Sequence, residues 1–254
     1  FMPVVTIARQ LGAGGEEIAR LVAQRLGARL LDSELLTLAS DSTGIPVRYF
    51  QLLDERGRSM WRNPGDLFRL IPLPPINPDL PDVYGDRYPP TGPVRARGEG
   101  LQSPAYWAAE AYAAALSRTI QGLAHSGADA VIVGRGGNEA LAGMPEAINV
   151  LVVASEAERV RRVAERDNVD VYDALDLVRS SDARRRTFVR QYYGADWLNA
   201  GRYDLVVRTD SLTSARAADV IISAARGAYG SRAVPASTKE PNIPLLGAAP
   251  VPAA

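Results

Sequence analysis

Short apolar runs alternate with amphipathic segments along this chain and predict alternating strands and helices. Residues 4–8 form an apolar, β-branched run that is typical of a buried parallel strand. Apolar residues then recur at helical spacing from Ile18 to Leu26, and Gly27 ends the predicted helix. Further strands are predicted at residues 29–31, 128–133, 148–153 and 203–207. This alternation predicts an α/β three-layer sandwich with a five-stranded parallel sheet and right-handed crossovers.

Helix signals are clear in the second half of the chain. Ser103 and Pro104 form a good cap and first residue, and Ser155 with Glu158 forms a capping box. Thr213 is the predicted cap of a closing helix. The predicted helices cover residues 103–124, a segment from 156, residues 171–181, residues 182–193 and residues 213–225.

A proline-rich stretch over residues 63–104 interrupts this rhythm and rules out a long helix or a central strand there. Aromatic residues such as Phe68 and Tyr84 make it too apolar for a simple linker. We interpret it as an insertion that packs over a cleft or against a partner, with a mobile surface loop as the alternative. Residues 228–254 are predicted to be a flexible Pro/Ala-rich tail after a single domain at 1–227.

Composition narrows the classes of function. The 29 basic and 29 acidic residues cancel, so broad electrostatic binding to nucleic acid or to a membrane is not expected. No apolar run approaches the ~20 residues of a membrane span, and no signal peptide is visible. The chain has no cysteine, which excludes disulfides and Cys-ligated zinc. Its one histidine, His125, is predicted at the end of a helix, where a histidine is usually structural or exposed, so Ser-His-Asp catalysis and multi-His metal sites are set aside. These features fit a cytoplasmic protein.

The glycine turn after the first strand is the candidate ligand site. Gly12, Gly14 and Gly15 precede the first helix, whose free N–H groups and dipole favour an anion. The alternative is an ordinary tight turn between a strand and a helix. An intact Walker A motif has Lys and then Ser or Thr after its last glycine, and this chain has neither. The only lysine is Lys239, so arginine must supply the positive charge, and Arg9 is the nearest candidate.

Several segments in the same order resemble the cytidylate-kinase-like proteins, relatives of bacterial cytidylate kinase. The opening strand with its Arg and glycine turn, the segment Leu31-Asp32-Ser33, and the strand that ends in Gly134-Arg135 are similar to segments of that family. Ser181 to Arg186 resembles its Asp/Arg lid, and residues 203–207 resemble its last strand. The resemblance covers roughly residues 3–57 and 103–227 and implies a sheet of the P-loop kinase type with a helical lid at about 156–193.

The resemblance implies roles for particular residues. ATP phosphates are expected on a loop formed by Gly12, Ala13, Gly14, Gly15, Glu16 and Glu17. Asp32, Ser33 and Arg135 are expected to bind the acceptor, although Asp32 and Ser33 also fit a helix cap and Arg135 a structural salt bridge. Arg9, Arg135, Asp182, Arg185 and Arg186 are the expected catalytic residues, although a run of helical charges is often a solvated face. Mg²⁺ is implied, with Glu17 as its candidate ligand.

Two functions remain open at this point. The first, implied by the resemblance, is transfer of a phosphoryl group from ATP to CMP or dCMP. The second is a weak or inactive kinase relative that binds nucleotide as a sensor or binds a protein. Three features favour this second function: the Walker lysine is missing, Gly136 replaces the family's usual Asp after Arg135, and the chain carries the insertion. A homodimer or a protein partner is expected to use the insertion.

Overall fold

A parallel sheet of five strands organises the chain in the computed structural model, which describes residues 4–43, 47, 50–51, 104–145 and 147–230. The sheet order is β2-β3-β1-β4-β5, and every pairing is parallel. The predicted five-stranded parallel sheet is therefore confirmed. The strands are β1 Val4–Arg9, β2 Arg29–Leu31, β3 Ala130–Val133, β4 Ala147–Val153 and β5 Leu205–Arg208.

Helices cover both faces of this sheet. The helices of the described residues are α1 Gly15–Leu26, α2 Glu34–Thr43, α3 Pro104–His125, α4 Gly137–Ala140, α5 Glu156–Asp167, α6 Val171–Tyr193 and α7 Ser214–Gly230. α1 and α7 pack on one face, while α2, α3 and the second half of α6 pack on the other. The predicted three-layer α/β sandwich is confirmed.

Alternation along the strands divides the interior between the two faces. In β4, Ile148 and Val150 join the core beneath α1 and α7, whereas Leu151 joins the core beneath α3. Neighbouring residues of a strand point to opposite faces, so a strand covered on both sides reads as one continuous apolar run. One polar pair lies in the core beneath α3, where Thr6 Oγ1 donates a hydrogen bond to Asn149 Oδ1 at 2.7 Å.

The segment expected to hold two helices, 171–181 and 182–193, is a single helix, and that prediction was wrong. Ser181 and Asp182 suggested a new helix start, but the structure gives their side chains other partners. No Gly or Pro interrupts the segment, so the helix continues. The last strand begins at Leu205 rather than at residue 203, because residues 200–202 form a 3₁₀ turn and Tyr203 follows it.

Some predictions fall outside the described residues. These are the proline-rich insertion up to residue 103, the partner contacts expected of it, and the tail from residue 231 onward. Among the helices that the structure describes, none is both long and apolar enough to cross a membrane.

Candidate functional site

The carboxyl ends of β1, β2 and β3 bring three of the predicted site residues to one edge of the sheet. Arg9 is the last residue of β1, Asp32 follows β2 directly, and Arg135 lies two residues beyond β3. β1 and β3 are paired with Ile7 opposite Val133, so Arg9 and Arg135 lie at equivalent distances beyond that pair. In open α/β sheets ligands bind at this edge, so the location fits a binding site.

The glycine loop connects β1 to α1 beside this edge. Gly12 and Gly14 have φ values of 81° and 79°, which lie in the left-handed region that favours glycine. Within the described part of the chain, no side chain caps α1, whose N-cap residue is Gly14. The first N–H groups of a helix have no partner within the helix, so they can donate to an anion. The loop therefore fits the phosphates of a nucleotide.

Arg9 lies against the first residue of α1. Its side chain is 2% exposed, and its Nη2 atom lies 3.4 Å from Glu16 Oε1. A Cβ atom added at Gly15 would lie 2.4 Å from Arg9 Cβ and 2.8 Å from Arg9 Cγ. These contacts are too short for real atoms, so residue 15 must be glycine while Arg9 keeps its position. Arg9 thus carries a buried positive charge close to the loop.

The two glutamates of the loop face different partners. Glu16 lies beside Arg9 and has a 44% exposed side chain. Glu17 Oε2 accepts a hydrogen bond of 2.6 Å from Ser214 Oγ, at the start of α7. Among the described residues no group of three or more Asp, Glu, His or Cys side chains could hold a metal ion. Of the other carboxylates at this edge, Glu16 is paired with Arg9 and Asp32 with Arg135.

Arg135 is held from both sides. It forms an ion pair with Asp32, and its carbonyl oxygen accepts a hydrogen bond of 3.4 Å from the Tyr193 hydroxyl. Its φ is 53°, between Gly134 and Gly136 at 68° and 70°. A left-handed conformation at a residue other than glycine costs roughly 1–2 kcal/mol, and such residues cluster at functional sites. The structure thus brings Asp32 and Arg135 together, while Ser33 is exposed at the start of α2.

The three expected lid residues on α6 have different surroundings. Asp182 Oδ2 accepts a hydrogen bond of 2.8 Å from Arg159 Nη1, which ties α6 to α5. Arg185 is buried, donates to Ser181 Oγ at 2.9 Å and lies 6.0 Å from the Trp197 ring centroid. Arg186 is exposed. Successive residues of a helix are rotated by about 100°, so Arg185 and Arg186 leave α6 in different directions.

Sequence reasoning missed the arginines of α5 that contact the glycine loop. Arg159 is buried, and a Cβ atom at Gly12 would lie 2.6 Å from the Arg159 carbonyl oxygen. Arg162 Nη1 lies 3.4 Å from the Gly12 carbonyl oxygen. Hydrogen bonds from Arg161 and then from Arg162 lower the pKa of Glu158 to about 2, so this carboxylate stays charged at neutral pH. The signal was that both arginines neighbour Val160 and Val163 on the inner side of the helix.

Comparison with solved structures gives distant likenesses. An uncharacterized protein from Eubacterium ventriosum ATCC 27560 aligns with a TM-score of 0.57 and 19% identity, over 88% of this chain and 98% of that chain. Shikimate kinase from Acinetobacter baumannii, solved in complex with shikimate, has a TM-score of 0.43 and 13% identity, over 89% of this chain and 94% of that one. A gluconokinase from Sinorhizobium meliloti 1021 has a TM-score of 0.41 and 13% identity, over 91% and 97%.

These likenesses concern the fold, since every identity is below one fifth. A search of curated proteins found no significant match. A family model described as the cytidylate kinase-like family matches residues 4–211, which include all five strands and the candidate site. The expected family resemblance is therefore confirmed, and the chain belongs to the cytidylate kinase-like family.

Proposed function

We propose that this protein is an ATP-dependent phosphotransferase that transfers the γ-phosphoryl group of ATP to a nucleoside monophosphate, CMP or dCMP. The observation that carries the proposal is the pair Arg9 and Arg135, both 2% exposed and both at the carboxyl edge of the sheet, with Arg9 beside the glycine loop. Burying a guanidinium is costly unless it meets negative charge. Two such groups beside a helix N-terminus suit a site for phosphate groups of two substrates.

The residues divide between the two substrates. The N–H groups from Gly14 to Glu17 hold the phosphates of ATP, and Arg9 neutralises charge on the β and γ phosphates. Arg135, held by Asp32, binds the phosphate of the monophosphate. An oxygen of this phosphate attacks the γ-phosphorus, the bond to the β-phosphate bridging oxygen breaks, and ADP leaves. Such transfer depends on positioning and charge neutralisation rather than on a covalent protein residue. Mg²⁺ bound to the ATP phosphates would supply further charge neutralisation, and Glu17 is the loop carboxylate that would hold it.

The second candidate is a nucleotide-binding sensor without phosphoryl transfer. The observation that favours it is Glu16, whose carboxylate lies 3.4 Å from Arg9 and offsets part of the positive charge. In a kinase, Arg9 must exchange this carboxylate for phosphate oxygens when ATP binds. In a sensor, the ion pair remains and pins the turn.

A coupled assay of ATP consumption with CMP, dCMP, UMP and AMP tests the proposal. We expect turnover with CMP or dCMP. Arg9→Ala should cost about 2–4 kcal/mol of transition-state stabilisation, the range for loss of a preorganised charge donor. That cost lowers kcat/KM by roughly 30- to 900-fold. Arg20→Ala, an exposed arginine of α1, is the matched control and should keep the parent value.

The outcomes separate the two candidates. ATP binding by calorimetry without turnover of any monophosphate favours the sensor. A lower melting temperature of Arg9→Ala with unchanged kcat/KM shows that Arg9 only pins the turn. Absence of both ATP binding and turnover in the parent protein contradicts both candidates.

A further inference from the structure

Arg162 connects three separate parts of the chain. Its Nε atom donates to Glu158 Oε1 at 2.8 Å within α5. Its Nη2 atom donates to the Thr209 carbonyl oxygen at 2.6 Å, and its Nη1 atom donates to Thr209 Oγ1 at 3.0 Å and to the Gly12 carbonyl oxygen at 3.4 Å. One planar guanidinium therefore connects α5, the segment after β5 and the glycine loop.

Thr209 in turn contacts Ala13, the loop residue that follows Gly12. Its side chain is buried, and its hydroxyl lies 2.9 Å from the Ala13 carbonyl oxygen. A hydroxyl has a single proton, and Arg162 already donates to its oxygen. That proton can go to the Ala13 carbonyl oxygen at 2.9 Å or to the Val153 carbonyl oxygen at 3.3 Å, and the contact with Ala13 is the shorter one. The carbonyl groups of Gly12 and Ala13 are thus both engaged from the same two residues.

Fixing these carbonyl groups also fixes the N–H groups of the loop. A trans peptide unit is planar, and its C=O and N–H bonds point in opposite directions. When the Ala13 carbonyl points to Thr209, the Gly14 N–H must point away from Thr209. The Ala13 N–H is fixed in the same way and donates to the Gln10 carbonyl oxygen at 3.1 Å. Gly14 is the N-cap residue of α1, so its N–H belongs to the proposed phosphate site.

The surroundings keep Thr209 and α5 in place. Asp210 follows Thr209, and its carboxylate accepts hydrogen bonds of 3.2 Å from the backbone N–H of Ser155, the N-cap of α5. A hydrogen bond from Arg208, followed by those from Ser155, holds the pKa of Asp210 well below its usual range. This carboxylate therefore stays ionised at neutral pH. The start of α5, Thr209 and the glycine loop form one connected unit.

We infer that Arg162 is a positioning residue which, acting through Thr209, holds the glycine loop in the geometry that binds the triphosphate of ATP. The inference rests on the proposed function. It follows that binding at the loop and the packing of α5 depend on each other, because the same guanidinium serves both. Arg162 itself need not contact the nucleotide.

The variants Thr209→Val, Thr209→Ser and Arg162→Lys test this role. Valine has the shape of threonine without the hydroxyl, serine keeps the hydroxyl, and lysine keeps the charge without the planar fork. We expect Thr209→Val and Arg162→Lys to raise the Kd for ATP-Mg²⁺ and the KM for ATP roughly fivefold to tenfold, the effect of one lost hydrogen bond. The KM for the monophosphate should stay within twofold. Thr209→Ser should remain near the parent values.

Arg161→Ala is the matched control. Arg161 neighbours Arg162 on α5, and within the part of the chain that the structure describes its ion pairs are with Glu158 and Glu165. The control should lower stability slightly and leave the Kd for ATP unchanged. A measurement without ligand adds an independent check. Exchange of the Ala13 N–H, followed by NMR in the free protein, should be faster in Thr209→Val than in Thr209→Ser.

Failure of the inference differs from failure of the proposed function. If the parent binds ATP and Thr209→Val binds it equally well, Arg162 and Thr209 do not position the loop, and the inference is overturned. Unchanged exchange of Ala13 in Thr209→Val overturns it as well. If the parent protein binds no ATP, the proposed function fails first, and the inference fails with it.

Discussion

The contact between Arg9 and Gly15 makes a sharp prediction about stability. Gly15→Ala adds a Cβ atom that would lie 2.4 Å from Arg9 Cβ and 2.8 Å from Arg9 Cγ. A Cβ atom is fixed by the backbone and cannot rotate away. Overpacking of this kind costs about 1–3 kcal/mol. The backbone at Gly15 is not in the left-handed region, and Ala in a helix is otherwise better than Gly by about 0.5–1 kcal/mol.

The sign of the effect should depend on Arg9. In the parent protein, Gly15→Ala should lower the free energy of unfolding, because the clash outweighs the helical gain. In an Arg9→Gly background both clashing atoms are absent, and the next atom, Val152 Cβ at 3.6 Å, makes an ordinary contact. The same substitution should then raise the free energy of unfolding by about 0.5–1 kcal/mol. The coupling energy between the two sites equals the strain, about 1–3 kcal/mol.

Urea unfolding of the four proteins in this cycle measures the coupling from the transition midpoints at a common m-value. Gly122→Ala in α3 is the matched control, because a Cβ atom there meets no atom within 4 Å. It should have the same effect in both backgrounds. If Gly15→Ala changes the free energy of unfolding equally with and without Arg9, the two side chains do not compete for space. The claim that Arg9 requires glycine at position 15 then fails.

Three further predictions concern the same edge of the sheet. Gly14→Val should abolish ATP binding by calorimetry and lower the free energy of unfolding by about 1–2 kcal/mol, because valine must adopt a φ of 79° there; retained ATP affinity contradicts the loop assignment. Arg185→Ala should lower the melting temperature because Arg185 is buried, whereas Arg186→Ala should leave it unchanged. For either variant, a larger effect on kcat than on KM identifies the residue as acting on the transition state. Gly136→Ala places a Cβ atom 2.2 Å from the Tyr193 ring and should destabilise the fold, with part of the loss recovered by adding Tyr193→Ala; no recovery indicates that the backbone at φ 70° carries the whole cost.

Much of the fold could be predicted because buried parallel strands leave a direct mark on the sequence. The runs at 4–8, 148–153 and the strand before Gly134 are apolar at nearly every position, as strands covered on both faces must be. The break expected inside α6 could not be excluded from local sequence. Asp182 looked like a helix start, but its carboxylate pairs with Arg159, 23 residues away. A contact made in the folded state decided against the local signal.

The candidate site divides in the same way. Arg9, Asp32 and Arg135 were predictable because each follows a strand, and strand ends meet at one edge of a parallel sheet. The contact of Arg162 with Thr209 was not, because 47 residues separate them and an arginine on an amphipathic helix usually faces solvent. The burial of Arg185 beside Trp197 likewise depends on how the end of α6 packs.

The central position of β1 in the sheet affects how the protein folds during its synthesis on the ribosome. Among the described residues, β1 pairs with β3 and β4, and β2 pairs with β3. Since β3 begins at Ala130, about 120 further residues must be synthesised after Arg9 before β1 can pair. At bacterial and eukaryotic synthesis rates this takes roughly 6–25 s. Until then the apolar segment Val4-Val5-Thr6-Ile7 lacks the two strands with which it pairs in the folded protein, so the nascent chain presents an aggregation-prone segment that chaperones are suited to cover.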